Sequence, residues 1–149
     1  MAVRSAGPDD LDALAGLRCA WRDEPITDEF VSAFGTWFHQ EGATRVWWLA
    51  EVDGAPVGMV NLKLFSRMPS PGAAPSAWGY LSNLFVRPEH RGSGLGAALV
   101  TALLEHADSA GLVRVVLSPS ERSIPLYRRL GFDPASSLLL REAPSPPSS

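Results

Sequence analysis

Leu84–Val100, LFVRPEHRGSGLGAALV, decides how this chain folds. A β-rich run at Leu84, Phe85 and Val86 leads into the basic turn RPEHR, and Gly92, Gly94 and Gly96 follow, separated by Ser93 and Leu95. Leu95, Ala98, Leu99, Ala102 and Leu103 then share one helical face, which predicts a helix from Ser93 to about Ser109 with Gly111 just past its end. The first N–H groups of a helix have no partner within it, and its dipole favours negative charge there. Glycines remove the Cβ atoms that would hold an anion off those amides. Glycine early in a helix costs up to about 1 kcal/mol, so packing alone is a poor reason for three of them. Successive amides from Gly92 to Ala97 therefore form a candidate cradle for a pyrophosphate, with Arg91 adding charge.

The elements on either side follow from pattern. AVRSA reads as a short strand, and Pro8, Asp9 and Asp10 start a helix carrying Leu11, Leu14, Leu17 and Trp21. Asp28 is the expected cap of a second helix with Phe30, Phe34, Trp37 and Phe38, ending near Gly42. VWWLAEV, the turn Asp53-Gly54 and PVGMVNLKLF form a hairpin, because Asp-Gly accepts positive φ between two β-rich runs. The connection at 66–77 is long and rich in Pro, Ser and Ala; such loops are uncommon unless they are functional or mobile. WGYLSNLFV is the next strand, and VRVVLS after the glycine-led helix is apolar enough for a buried central one. A short helix holds Leu126, Tyr127 and Leu130, stops at Gly131, and leads to a last strand, SLLLR. The order βααβββαβαβ predicts a single α/β domain over residues 1–141. Its central sheet is mixed, mostly antiparallel, with about six strands and about four helices. Residues 142–149 are Pro- and Ser-rich and are expected to be a disordered tail.

Composition narrows the function. The 149 residues carry a net charge of -3, with no Lys or Arg run longer than Arg128-Arg129, which disfavours nucleic acid as a partner. No signal-like segment and no run of 18 apolar residues occurs, so no membrane partner is expected and the cytoplasm is the expected compartment. Cys19 is the sole cysteine and sits in a helical pattern beside Leu17, which reads as a buried structural thiol and excludes an intramolecular disulfide.

Three readings of the glycine turn compete. A phosphate loop of the Gly-Lys-Ser/Thr kind is excluded because no such triplet follows. Gly92-Ser93-Gly94-Leu95-Gly96-Ala97 formally matches a dinucleotide fingerprint, yet RPEHR separates it from its strand and VRVVLS ends at Ser118 with no carboxylate. A purely structural turn is the third. Arg91-Gly92-Ser93-Gly94-Leu95-Gly96 resembles the acetyl-CoA pyrophosphate motif of the GNAT superfamily, (Gln/Arg)-x-x-Gly-x-(Gly/Ala), and LFVRPEHRG resembles that family's strand and turn. About thirty residues on, SERSIPLYRRLGF resembles the second signature, Asn-x-x-Ala-x-x-Leu-Tyr-x-x-x-Gly-Phe. The resemblance spans roughly residues 2–141 and is sharp over 80–132.

The resemblance implies an N-acetyltransferase that moves the acetyl group of acetyl-CoA to an amine by direct attack, with no metal. It implies that the backbone of Leu84 and Val86 pairs with the pantetheine arm like an added strand, that Phe85 between them belongs to the cofactor site, and that backbone N–H groups around residues 84–86 steady the oxyanion. It places Arg91, Gly92, Ser93, Gly94, Leu95, Gly96 and Ala97 on the pyrophosphate. Tyr127 would lie near the thioester sulfur and protonate the departing thiolate.

The family pattern is broken at several positions. Ser120 stands where the family usually has Asn and Ser123 where it has Ala; both hydroxyls can still cap the helix or bond the pantetheine. Pro125 is tolerable only if the helix starts late, with Ser123 as its cap. Polyamine acetyltransferases of the superfamily carry Glu-Asp where Ser82-Asn83 stand, so the general base is open. Ser82 is a candidate for holding a water in a relay, and Glu24 and Glu29 are further candidates that also read as exposed charges. His39 and His90 read as surface residues. Core packing accounts for most of the five tryptophans, with Trp21, Trp37 and Trp48 as pocket candidates. Trp47 and Trp48 must face opposite sides of their strand. A small amine is the expected second substrate, a homodimer stays open, and a non-catalytic acyl-CoA-binding module is the alternative.

Overall fold

The computed structural model describes residues 2–144. The chain begins with β1 (Ala2–Ala6), a 3-10 turn at Pro8–Asp10, and α1 (Leu11–Arg22). Next is α2 (Asp28–Glu41), capped not by Asp28 but by Thr27, whose hydroxyl accepts from Phe30 N–H at 3.1 Å. Thr27 is the residue with extended backbone (φ −122°, ψ 152°), which points its side chain back at the first turn; Asp28 is already helical.

β2 (Arg45–Val52) and β3 (Ala55–Ser66) form the expected hairpin. Asp53 and Gly54 take φ of +52° and +78°, the left-handed pair that a tight turn of matching twist requires. After the long connection comes β4 (Ala77–Val86), and then α3 (Leu95–Ser109), β5 (Val115–Val116) and α4 (Ile124–Arg129). The sheet runs β1-β2-β3-β4-β5 in space, antiparallel through β4 and parallel between β4 and β5.

Strand periodicity divides the core into two layers. Trp47, Leu49, Met59 and Phe85 face α1 and α2, packing on Leu14, Leu17, Phe34 and Phe38. Trp48, Ala50, Val60 and Val86 face the other way, onto Leu95, Leu99 and Leu103 of α3 and Tyr127 of α4. Neighbours in sequence thus serve opposite layers, as alternation requires. Leu14, Leu17, Leu99 and Leu103 are fully buried, and each such side chain adds about 1.5–3 kcal/mol of transfer free energy as an upper estimate. Cys19 is buried as a small apolar group on α1.

Two expectations at the C-terminal end differ. VRVVLS supplies only Val115–Val116 as strand, with Val113 exposed. SLLLR forms no strand, and Leu138, Leu139 and Leu140 are all exposed. Three adjacent leucines have no alternation, so nothing selects which face turns inward or fixes a register. Of the expected tail, residues 142–144 are exposed and residues 145–149 lie outside the described residues. Among the described residues, no helix is long and apolar enough to cross a membrane.

Candidate active site

β4 and β5 pair only at Gly79–Val115 and Tyr80–Val116. Beyond Tyr80 they diverge, and a cavity of about 630 Å³ fills the gap. Leu81 to Val86 of β4 line one side of it and Leu117 to Ser120 the other.

The β4 side is shaped by a bulge. Met59 pairs with Phe85 and Asn61 with Ser82, so Asn83 and Leu84 together oppose Val60. Asn83 absorbs the extra residue with φ +59°, a conformation that Asn adopts more readily than most side chains. Beneath the bulge lies Asn61, fully buried. Its amide donates to Asn83 Oδ1 at 2.8 Å, and its carbonyl accepts from Ser82 Oγ at 3.0 Å and from Arg45 Nη1. Arg45 Nη1 also donates to Ser82 Oγ at 3.3 Å. The Ser82 hydroxyl, which lines the cavity, therefore has its proton directed at Asn61 and one lone pair directed at Arg45.

The start of α3 forms the far end of the cavity. Arg91, Gly92, Gly94, Leu95, Gly96 and Ala97 line it. Gly92 and Gly94 have φ of +80° and +86°, and a Cβ at either would meet no protein atom within 4 Å. Backbone conformation and open space, not packing, call for glycine there. Gly94 is the cap residue and lends no side chain to the helix start; the first intrahelical bond is Ala98 N–H to Gly94 C=O at 3.0 Å. The amides of Leu95, Gly96 and Ala97 precede that bond and are free to face an anion. Ser93 does not line the cavity; its hydroxyl donates to the His90 carbonyl and closes the turn. Arg91 Nε donates to the Val86 carbonyl at 3.0 Å, which leaves its two Nη groups for other acceptors.

α4 closes the third side. Pro125 sits in its first turn, as a late helix start requires. Ser123 holds the cap position without capping: its hydroxyl donates to the Ser120 carbonyl at 2.9 Å and lies 3.0 Å from the Ser120 hydroxyl. Both serines line the cavity, as does Tyr127. Tyr127 is buried and packs edge-on to Phe132 at 5.6 Å between ring centroids. Burial pushes its phenol above its ordinary value.

Several lining residues occupy positions to which the sequence motifs assign no role. Arg122 and Arg129 join Arg91 and half-buried His90, so a chain of negative net charge carries a cationic cleft. Arg129 belongs to the longest basic run, but the face of a six-residue helix on which it falls is not legible from pattern. Trp21 reaches the cleft from α1 and stacks on Phe85 at 5.5 Å. Asn83 carried a signal in its residue type, though not in its spacing. Glu24 and Glu29 are exposed and line neither this cavity nor the next one.

A second cavity of about 320 Å³ lies between α2 and the sheet, lined by Phe30, Phe34, Trp37, Trp47, Met59 and Asn83, with Ala33 and Arg18. Asn83 lines both cavities. Trp48 is elsewhere, packed against α3 and edge-on to His106 at 5.4 Å.

The cationic, amide-lined cleft fits a diphosphate-bearing thioester, and comparison with known proteins agrees. The acetyltransferase (GNAT) family matches residues 11–132. A glucosamine 6-phosphate N-acetyltransferase from Trypanosoma brucei brucei is 38% identical over 79 residues, 53% of this chain and 52% of that protein. The chain thus spans about half the length of that relative. An aminoglycoside N(6')-acetyltransferase type 1 from Stenotrophomonas maltophilia is 30% identical over 98% of this chain and 95% of its own. In fold, the chain resembles a predicted acetyltransferase of Clostridium acetobutylicum crystallised with acetyl-CoA, with a TM-score of 0.76, 20% identity and 95% of each chain covered.

Proposed function

The chain belongs to the acetyltransferase (GNAT) family, and from that premise we propose that it transfers the acetyl group of acetyl-CoA to the primary amine of a small molecule by direct attack. The observation that carries this reading is the convergence of three features on one cavity: free amides at the start of α3, the edge that β4 exposes beyond Tyr80, and the hydroxyl-bearing Tyr127.

Each part has a distinct task. The amides of residues 95–97, with Arg91, Arg122 and Arg129, hold the phosphates through charge and hydrogen bonding at a dipole's positive end. Leu84 and Val86 align the amide-bearing arm along β4 in the manner of strand addition, on either side of Phe85, which pairs with Met59 of β3. Their N–H groups steady the negative charge that develops on the acetyl oxygen. Gly92 and Ser93 set the turn, while Ser120 and Ser123 fix the entry to α4 and bond the arm. The neutral amine attacks the acetyl carbon, the carbon–sulfur bond breaks, and Tyr127 gives its proton to the sulfur. A phenol with a raised pKa is protonated at neutral pH, as a general acid must be. No residue lining either cavity is Asp or Glu. With no carboxylate on either wall, the proposed exit for the ammonium proton is a water held near the Ser82 hydroxyl, with Ser82 as a relay and not a base. No covalent intermediate is called for, because Cys19 is buried on α1 and lines neither cavity. The cytoplasm is the proposed compartment, a reducing one in which a lone thiol persists.

The absence of a lining carboxylate favours one second reading, an acyl-CoA-binding module without turnover. Free thiol release from acetyl-CoA, measured across a panel of primary amines beside calorimetric acetyl-CoA binding, separates the two. Amine-dependent release establishes the enzyme; tight binding without release for any amine establishes the module.

A further inference from the structure

The second cavity has a chemistry of its own. Its walls are mostly aromatic: Phe30, Phe34 and Trp37 from α2 and Trp47 from β2. The one charged side chain among its lining residues is Arg18, half-buried on α1 and in no ion pair among the described residues. Arg18 lies 4.9 Å over the Trp21 ring, and Arg45 lies 5.1 Å over Trp37. One ring of this wall, Trp37, thus already carries a guanidinium that competes with a second cation for cation–π attraction, and Arg18 is held beside it over Trp21 of the first cavity. A polycationic acceptor would meet like charge with no carboxylate to offset it. An apolar body matches the walls, and an anionic group matches the unpaired guanidinium.

We propose that this cavity selects the acceptor, an apolar, flat-bodied amine that carries a carboxylate, as an aromatic α-amino acid does, and that Arg18 binds that carboxylate. The assignment rests on the acetyl-transfer reading above. Asn83, shared by both cavities, is where the acceptor nitrogen and the thioester would meet.

The test uses matched pairs that differ only in the carboxylate: phenylalanine against phenethylamine, and tryptophan against tryptamine, with spermidine and kanamycin as polycations. Thiol release gives kcat/KM for each, in the wild type and in Arg18→Gln, with Arg18→Lys as the charge-keeping control. The expected result is a preference of at least ~10-fold for each acid over its amine, lost in Arg18→Gln mainly through KM and partly kept in Arg18→Lys. Calorimetric acetyl-CoA binding shows that each variant is folded. Faster turnover of the polycations, or an acid-to-amine ratio that Arg18→Gln leaves unchanged, overturns the acceptor assignment and leaves the acetyl-transfer reading standing. Tight acetyl-CoA binding with no release for any amine overturns both.

Discussion

Asn61 Nδ2 donates to Asn83 Oδ1 at 2.8 Å, tying the buried centre of β3 to the residue that opens the β4 bulge. Asn83 sits in a left-handed conformation that costs an ordinary side chain about 1–2 kcal/mol. It persists because neighbouring contacts determine it. Asn61 also accepts from Ser82 and Arg45, so one fully buried amide orients a strand kink, a cavity hydroxyl and a guanidinium.

Replacing that amide should therefore cost more than its volume. Asn61→Ala leaves the partner atoms on Arg45, Ser82 and Asn83 without their bonds inside the protein. We expect a loss of about 2–3 kcal/mol in urea denaturation, with an unchanged slope of free energy on denaturant. A loss under about 0.5 kcal/mol would mean that water takes over the network without penalty.

The phosphate cradle is tested at Gly94. Glutamate there would project into open space, with no protein atom within 4 Å of its Cβ, so the fold should survive apart from the strain of positive φ at +86°. Its carboxylate would stand where, on the proposed reading, the amides of α3 receive the phosphates. Calorimetry should show acetyl-CoA binding abolished in a protein of native circular dichroism. Binding at wild-type strength would remove the pyrophosphate assignment.

Much of this architecture was legible in the sequence because it rests on local rules. Trp47 and Trp48 separate onto two layers by alternation alone, and Asp53-Gly54 closes its hairpin because both residues accept positive φ. The strand–turn–helix unit around Gly94 is local in the same sense. Arg122, Arg18 and Asn83 were not legible in their roles. Their positions depend on how far β5 diverges from β4 and on how α1 lies over Phe85, and no spacing encodes either. The failed strand at Leu138–Leu140 shows the converse. Apolar content alone, without alternation, predicts burial that the chain does not achieve.

Glu41 gives a pH-dependent signature. Hydrogen bonds from Lys63 Nζ and Arg45 Nη2, both 2.9 Å, hold its carboxyl below the usual 4.5. A depressed carboxylate stabilises the fold above its ordinary value, and that contribution fades as pH falls through the native value. The group is partly exposed, so the contribution is about 1 kcal/mol or less. Glu41→Gln should thus lower stability at pH 7 and converge with the wild type as acid protonates the native carboxyl. A deficit that persists undiminished in acid would assign the role of Glu41 to packing.

The end of the chain offers a simpler measurement. Residues 142–149 hold three prolines, three serines and no periodic apolar residue, and Glu142, Ala143 and Pro144 are exposed. Deleting residues 142–149 should leave both Tm and acetyl-CoA affinity unchanged. A drop of several degrees would show that this segment docks, on its own domain or on a second copy.

The chemistry itself turns on Tyr127→Phe. The ring would keep its burial and its edge-on contact with Phe132, so stability should change little. What would be lost, on the proposed mechanism, is the proton that neutralises the sulfur as the carbon–sulfur bond breaks. General-acid contributions are typically on the order of 10²–10⁴ in rate, and water entering the cleft recovers part of that. We expect turnover at saturating amine to fall at least ~10-fold while acetyl-CoA affinity holds. Saturating amine matters because it isolates product formation from capture. The alkaline limb should also change. Burial raises the phenol, so the wild type should lose activity only as pH rises beyond the ordinary tyrosine range, and the Phe variant should lack that limb. Wild-type turnover in the variant would return Tyr127 to a packing role and leave the sulfur without an identified acid. Weaker acetyl-CoA binding at unchanged turnover would make Tyr127 a binding residue instead. Only lost turnover with intact binding fits proton delivery by the phenol.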